Sequence, residues 1–230
     1  MKISEEFSKH ALEYESHNII QKKVISKLLG DIVGAPKYIL DLGCGNGSLC
    51  KSIFWEFEQF IGIDFAPAML ELHPKSKNIQ AVYGNFNDKR LFEELESYRF
   101  DHIFSASALQ WSKDLDRLFA NIAALKSDVS LAIFTSGTFK TLHKQAGIEA
   151  LLRDKEEIDR LQKKYFDAKF EIVEYKLEFT SVREMFRYIK SSGVSGSRNV
   201  LSYTQTKKLM REYPLNYLEF EVVFITTSNL

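Results

Sequence analysis

The chain has 230 residues, 45% of them apolar and 13% aromatic, with 31 basic and 31 acidic side chains. That length and apolar content suffice for one elaborated domain whose core needs neither disulfide nor metal, and they exclude intrinsic disorder. A formal net charge of zero excludes an evenly basic protein, which disfavours broad nucleic-acid or membrane-surface binding.

Two cysteines, Cys44 and Cys50, are too few and too close for a disulfide framework or a metal site. The first ten residues are polar with no signal-peptide core, and no apolar run approaches the ~18 residues of a membrane span. The expectation is a cytoplasmic protein without metal.

In chain order, residues 1–34 read as one or two amphipathic helices, with Ile19, Ile20, Val24, Leu28 and Leu29 on one face. This segment is expected to lie over the pocket of a domain spanning 35–230. Short apolar runs at 38–42, 60–63, 79–83, 102–105 and 130–135 read as buried strands. Between them, 48–56, 66–72, 88–98 and 114–125 have helical spacing. The alternation predicts an α/β fold of Rossmann-like type, a mostly parallel seven-stranded sheet with helices on both faces. Beyond residue 138 the pattern changes. A helical stretch at 139–166 precedes a strand at 170–179, a helix at 182–191, a Gly/Ser-rich loop, a helix at 204–212 and a last strand at 218–226. The elements within 139–166 and 181–212 are expected to form a helical cap.

The strongest local signal is Asp41-Leu42-Gly43-Cys44-Gly45-Asn46-Gly47, directly after the first predicted strand and opening a helix. Glycines at 43, 45 and 47 let the backbone turn sharply and approach a ligand. The spacing is GxGxG, and Ser48 stands where a dinucleotide-binding motif has its third glycine. Asp41 ends the strand before the loop, which is unfavourable beside a pyrophosphate and favourable beside an ammonium group. Asp64 ends the next strand, 23 residues later, placed to accept hydrogen bonds from ribose hydroxyls. The implied ligand has a ribose and a positively charged amino-acid end, and no phosphate.

These motifs resemble those of the class I S-adenosylmethionine-dependent methyltransferases. The resemblance places the methionine part of S-adenosyl-L-methionine on Asp41, Gly43, Gly45 and Gly47 and its ribose on Asp64. Phe65 would pack on adenine. Gly84-Asn85-Phe86 stands where the family usually has an Asp facing the adenine amino group, so Asn85 is a departure whose amide oxygen can still accept that bond. Ser105, Phe86 and Asn85 complete the cofactor set.

A narrower resemblance, to the malonyl-acyl-carrier-protein O-methyltransferases of biotin synthesis, covers nearly the whole chain. It rests on Phe7-Ser8, Tyr14, Ser16-His17 and Gln21, and on Ser105-Ala106-Ser107-Ala108-Leu109-Gln110-Trp111. It continues through Leu131-Ala132-Ile133-Phe134-Thr135 with Thr141-Leu142, then Ile189-Lys190, Gly193-Val194, Arg198, Leu201 and Thr204, and finally Glu219-Phe220-Glu221-Val222-Val223-Phe224. The chain is shorter than typical members between Arg198 and the last strand.

The reaction this implies is methyl-ester formation on the free carboxylate of malonyl-acyl-carrier protein. A carboxylate is already ionised at pH 7, so no general base is needed. Tyr14, Gln110 and Trp111 are the candidate catalytic residues near the sulfonium, through aromatic faces and polar tips. Arg198 is the candidate for a substrate anion, with His17 kept beside it as a residue that reads as structural more readily than catalytic. Cys44 reads as a space-filler.

Residues 181–211 carry Arg183, Arg187, Lys190, Arg198, Lys207, Lys208 and Arg211 against Glu184 alone, a net +6 within a neutral chain. A basic cap would steer an acidic carrier protein to one face of a monomer. The alternatives are a methyltransferase of another small carboxylic acid and a non-catalytic S-adenosylmethionine-binding regulator. A nucleic-acid substrate is disfavoured because no Asn/Asp-Pro-Pro-aromatic element follows the fourth strand.

Overall fold

A computed structural model describes residues 18–191 and 202–227. Helix α1 (Ile19–Gly30) buries Ile20, Val24 and Leu28, one per turn, together with Ile25 and Leu29. The parallel alternation then runs β1 (Tyr38–Leu42), α2 (Ser48–Ser52), β2 (Gln59–Asp64), α3 (Pro67–Leu72), β3 (Ile79–Tyr83), α4 (Lys89–Leu95), β4 (His102–Ala106), a 3₁₀ turn (Leu109–Trp111), α5 (Leu115–Ala124) and β5 (Asp128–Phe134). The remainder comprises α6 (Lys140–Ala146), α7 (Lys155–Gln162), β6 (Lys169–Glu178), α8 (Val182–Ser191), α9 (Tyr203–Glu212) and β7 (Tyr217–Thr226).

The strands form one seven-stranded sheet in the order β3-β2-β1-β4-β5-β7-β6, and β7 alone runs opposite to the other six. Successive side chains on a strand point to opposite faces, and the core divides accordingly. Leu40, Leu42, Ile61, Ile63, Ile103, Leu131, Ile133 and Val223 pack with α4, α5 and α7. Ala132, Phe134, Phe220, Val222 and Phe224 face the other way, against α1, α6, α8 and α9. Ile39, Phe60 and Phe104 continue that second face beneath α1 and α2. The expected α/β sheet with helices on both faces is therefore present.

Two expectations need correction. The stretch 139–166 is not one helix but α6 and α7, because Gly147 takes a left-handed φ of 64° and caps α6. Helix α2 ends at Ser52, where Ile53 turns extended, rather than continuing to 56. The described part of the N-terminal segment, α1, lies flat on the sheet face through contacts with β4 and β5. Residues 1–17 are outside the described residues. On the C-terminal side, α8 and α9 touch each other and bury Met185, Tyr188, Leu209 and Tyr213 against Leu218 and Phe220.

The strand order reverses direction between β1 and β4. In an open parallel sheet the crevice beyond the carboxyl ends of those two strands is where ligands bind. The Gly-rich segment begins there, one residue after β1.

Candidate active site

Strand β1 ends at Leu42, and Gly43 turns with φ +80°. Its N–H donates to the Ile63 carbonyl at 2.8 Å, and the Cys44 N–H donates to the same oxygen at 3.0 Å. These bonds carry the β1–β2 ladder past the strand and fold the loop over the end of β2. A Cβ on Gly43 would lie 2.2 Å from Ala108 Cβ, and one on Gly47 (φ +77°) 2.4 Å from Pro74 Cδ. A Cβ on Gly45 would meet nothing within 4 Å. The outer glycines are thus demanded by protein packing, and the middle one leaves an open approach to the backbone.

The two acids frame that opening. Asp41 is 1% exposed, and its Oδ1 is buried with no hydrogen-bond partner. Burial, and then the neighbouring Asp64 charge, push its carboxyl up to about 8. Asp64 is held by the Gly45 N–H on Oδ2 at 2.9 Å and the Ala66 N–H on Oδ1 at 2.8 Å. Burial raises its pKa, while those backbone donors oppose the rise. The Cys44 and Cys50 thiols are both pushed up, first by burial, so neither is a nucleophile, as the space-filler reading of Cys44 expects.

The segment after β4 closes the other side. Ser105, fully buried, donates from Oγ to the Leu42 carbonyl at 2.6 Å and so tethers β4 to the last residue before the glycine turn. Ser107 holds φ +65°, and its buried hydroxyl has no partner. Gln110 donates from Nε2 to the Ser107 carbonyl at 2.6 Å and keeps a buried, unpartnered Oε1. Trp111 is half-buried in the same 3₁₀ turn. Because Ala108 abuts Gly43, this turn and the glycine loop form one wall.

The remaining expected residues divide. Phe65, half-buried, follows Asp64 directly. Phe86 is 4% exposed and belongs to the core with Leu42, Ile63 and Leu109, so it supports the loop from below. Asn85 is exposed, and its Oδ1 accepts from both the backbone and the side-chain N–H of Asn87, at 2.9 and 3.0 Å. Asn87 in turn accepts from the Lys113 N–H at 2.8 Å. That turn occupies the oxygen expected to face adenine. Tyr14, His17 and Arg198 lie outside the described residues.

Sequence reasoning missed His73 and Pro74, which wall Gly47. His73 Nδ1 bonds the Pro74 carbonyl at 2.8 Å, and burial lowers the pKa of the ring. A His-Pro pair after a short helix carries no sequence signal of that contact. Among the described residues there is no cluster of three metal-ligating side chains, and no helix is long and apolar enough to cross a membrane.

The glycine loop at the sheet's reversal point, with one acid next to the end of β1 and another ending β2, is the arrangement of the class I methyltransferase fold. Residues 40–128 match the model of the family described as a methyltransferase domain. Its cofactor, S-adenosylmethionine, fits the residues present: the orphaned Asp41 oxygen suits an ammonium group, and the open face at Gly45 admits a ligand to the backbone.

Among named relatives, the chain is similar to malonyl-[acyl-carrier protein] O-methyltransferases. It is 31% identical to that of Legionella pneumophila over 148 residues, which is 61% of this chain and 52% of the relative. Over 98% of this chain and 93% of the relative it is 25% identical to malonyl-[acyl-carrier protein] O-methyltransferase 2 of Ilyobacter polytropus. In its strongest matches the chain thus spans about half the length of the curated relatives. Among solved structures, a S-adenosylmethionine-dependent methyltransferase of Thermotoga maritima superimposes with a TM-score of 0.59 at 13% identity, covering 98% of this chain and all of the other. Phosphoethanolamine N-methyltransferase 2 of Haemonchus contortus, in complex with S-adenosyl-L-methionine, gives 0.57 at 18% identity, covering 96% and 57%.

Proposed function

We propose that the chain methylates the free carboxylate of a malonyl group carried on acyl carrier protein, forming a methyl ester, in biotin precursor synthesis. The observation that carries this reading is similarity along almost the whole chain to the Ilyobacter polytropus relative of that name. When bound, S-adenosylmethionine supplies an electrophilic methyl group on a sulfonium.

What this chain's residues do is orient and enclose. Asp41 and the loop backbone take the amino-acid end, and Asp64 accepts from the ribose. Gln110 Oε1 and Ser107 Oγ are buried polar atoms awaiting partners on the wall beside Gly43. A carboxylate acceptor arrives ionised, so the chemistry needs no base, and holding it in line with the methyl group is where the rate is gained, up to ~7–11 kcal/mol. The residues of that wall show no paired His and acid, which suits an acceptor of this kind. Arg183, Arg187, Lys207, Lys208 and Arg211, all exposed on α8 and α9, form the surface where an acidic carrier protein would dock. Tyr14, His17 and Arg198 keep the pocket roles proposed for them from the sequence.

The test is a comparison of methyl acceptors: malonyl-acyl-carrier protein, malonyl-CoA and small free dicarboxylic acids, with ester formation read by mass spectrometry. The carrier-bound substrate is expected to give the highest kcat/KM. Methylation confined to small acids would overturn the carrier reading in favour of a small-acid methyltransferase.

A further inference from the structure

The loop that receives the cofactor holds two carboxylates that its packing leaves unequal. Asp64 has a backbone N–H on each oxygen. Asp41, on the adjacent strand and 1% exposed, has an Oδ1 with no donor. Among the groups that feel or exert charge on Asp41 are Asp64 at the end of β2, Cys44 in the loop and Cys50 on α2. These three are acids or thiols; the cation on the same helix, Lys51, acts on Cys50 and on His73. His73, which abuts Gly47 and the backbone of Gly62, is driven toward its neutral form by burial. Burial and then the Asp64 charge are what act on Asp41, and desolvation and mutual repulsion between two buried carboxylates both favour protonating one of them. The pair's backbone donors select which one: Asp64 is stabilised as the anion, and Asp41 keeps the proton.

We propose that Asp41 is a proton-coupled receptor for the cofactor's amino-acid end: the loop without cofactor carries one proton on Asp41, and the incoming ammonium displaces it. The exchange balances. A neutral carboxyl and a free ammonium become a carboxylate–ammonium pair, and one proton leaves to the buffer. The direction of the Asp41 shift agrees, since a carboxyl titrating at about 8 is mostly protonated at pH 7. Cofactor affinity then weakens as pH falls, by up to tenfold per unit between pH 7 and 6, where the cofactor's own α-amino group remains protonated. A ligand lacking the amino-acid end leaves Asp41 protonated and binds without this dependence.

The experiment is titration calorimetry of the full chain with S-adenosylhomocysteine and, separately, 5′-methylthioadenosine, which has the ribose and adenine but no amino acid. Each runs at pH 6.5 in two buffers of different ionisation enthalpy. The expected result is close to one proton released per S-adenosylhomocysteine bound and none for methylthioadenosine. Asp41→Asn should bind S-adenosylhomocysteine more weakly, with no proton released and a flat pH profile. Equal proton release for the two ligands, or none for S-adenosylhomocysteine, overturns the proposal. This comparison uses the wild-type chain, so it decides the matter even if Asp41→Asn fails to fold. It involves no methyl acceptor and is independent of the substrate proposed above.

Discussion

The Gly45 N–H donates to Asp64 Oδ2 at 2.9 Å, so the acid that ends β2 also fixes the loop that follows β1. One carboxylate therefore shapes the cradle, and in the proposed site its remaining lone pairs are the ones offered to the ribose. Asp64→Ala should weaken S-adenosylhomocysteine binding tenfold or more by calorimetry, as the loss of charge-assisted bonds worth ~1.5–3 kcal/mol requires. Asp64→Asn keeps one acceptor oxygen and should fall between wild type and Ala. Undiminished affinity in Asp64→Ala would remove Asp64 from the ribose site.

The three loop glycines should separate stability from binding. Gly43→Ala places a methyl 2.2 Å from Ala108 Cβ on a backbone at φ +80°, so packing and backbone strain both count against it. A loss of about 2–4 kcal/mol in urea unfolding is expected. Gly45→Ala, at φ +53° with no neighbour within 4 Å, should cost only about 1–2 kcal/mol of stability. Its methyl points into the opening, so it should weaken cofactor binding out of proportion to that loss. Equal stability for the two variants would mean the contact with Ala108 is not what demands glycine at 43.

Much of this was legible in the sequence because the signals were local. Buried strands read as continuous apolar runs, and β1 through β5 appear within two residues of their expected bounds. Asp41 and Asp64 could be placed because the first lies one residue before the end of β1 and its glycine turn and the second ends β2. What escaped were contacts set by tertiary packing. Nothing in Asn85-Phe86-Asn87 announces that Asn87 claims the Asn85 oxygen, or that Phe86 turns inward beneath Gly43. Gly147 ends α6 inside a run whose helical spacing continues on both sides, so periodicity joined what one left-handed residue divides. The Ser105–Leu42 tether is likewise invisible, because its partners are 63 residues apart.

His102 on β4 should give the fold an acid sensitivity. Its Nε2 lies 2.9 Å from Ser130 Oγ across the β4–β5 pair, and burial, outweighing the attraction of Asp128 and Asp101, lowers its pKa from 6.5 to about 4. The unfolded chain therefore takes up this proton before the folded one does. The contribution is present above pH 6.5 and is lost as pH falls toward 4, by about 3 kcal/mol for a shift of that size. His102→Gln cannot titrate, so urea unfolding from pH 7 to 4 should show a shallower decline for the variant. Parallel curves would assign the acid sensitivity to other groups.

The exposed basic residues of α8 and α9 test the carrier reading most directly. Arg183 and Arg187 lie on one helix and Lys208 on the other, and Met185 and Tyr188 of the first are buried against the sheet. The charged side chains therefore face outward from a firmly seated helix, and replacing them should leave the core intact. Charges at the rim of an interface act mainly on the association rate, and salt screens them over about 10 Å at 0.1 M. Arg183→Glu combined with Arg187→Glu should raise KM for malonyl-acyl-carrier protein about tenfold at 20 mM salt. The penalty should shrink severalfold at 300 mM, with kcat nearly unchanged. The same variant should use malonyl-CoA with a much smaller change, because a small acceptor does not span the helix surface. A matching loss with both acceptors, insensitive to salt, would place these arginines in the support of the pocket rather than at a docking face.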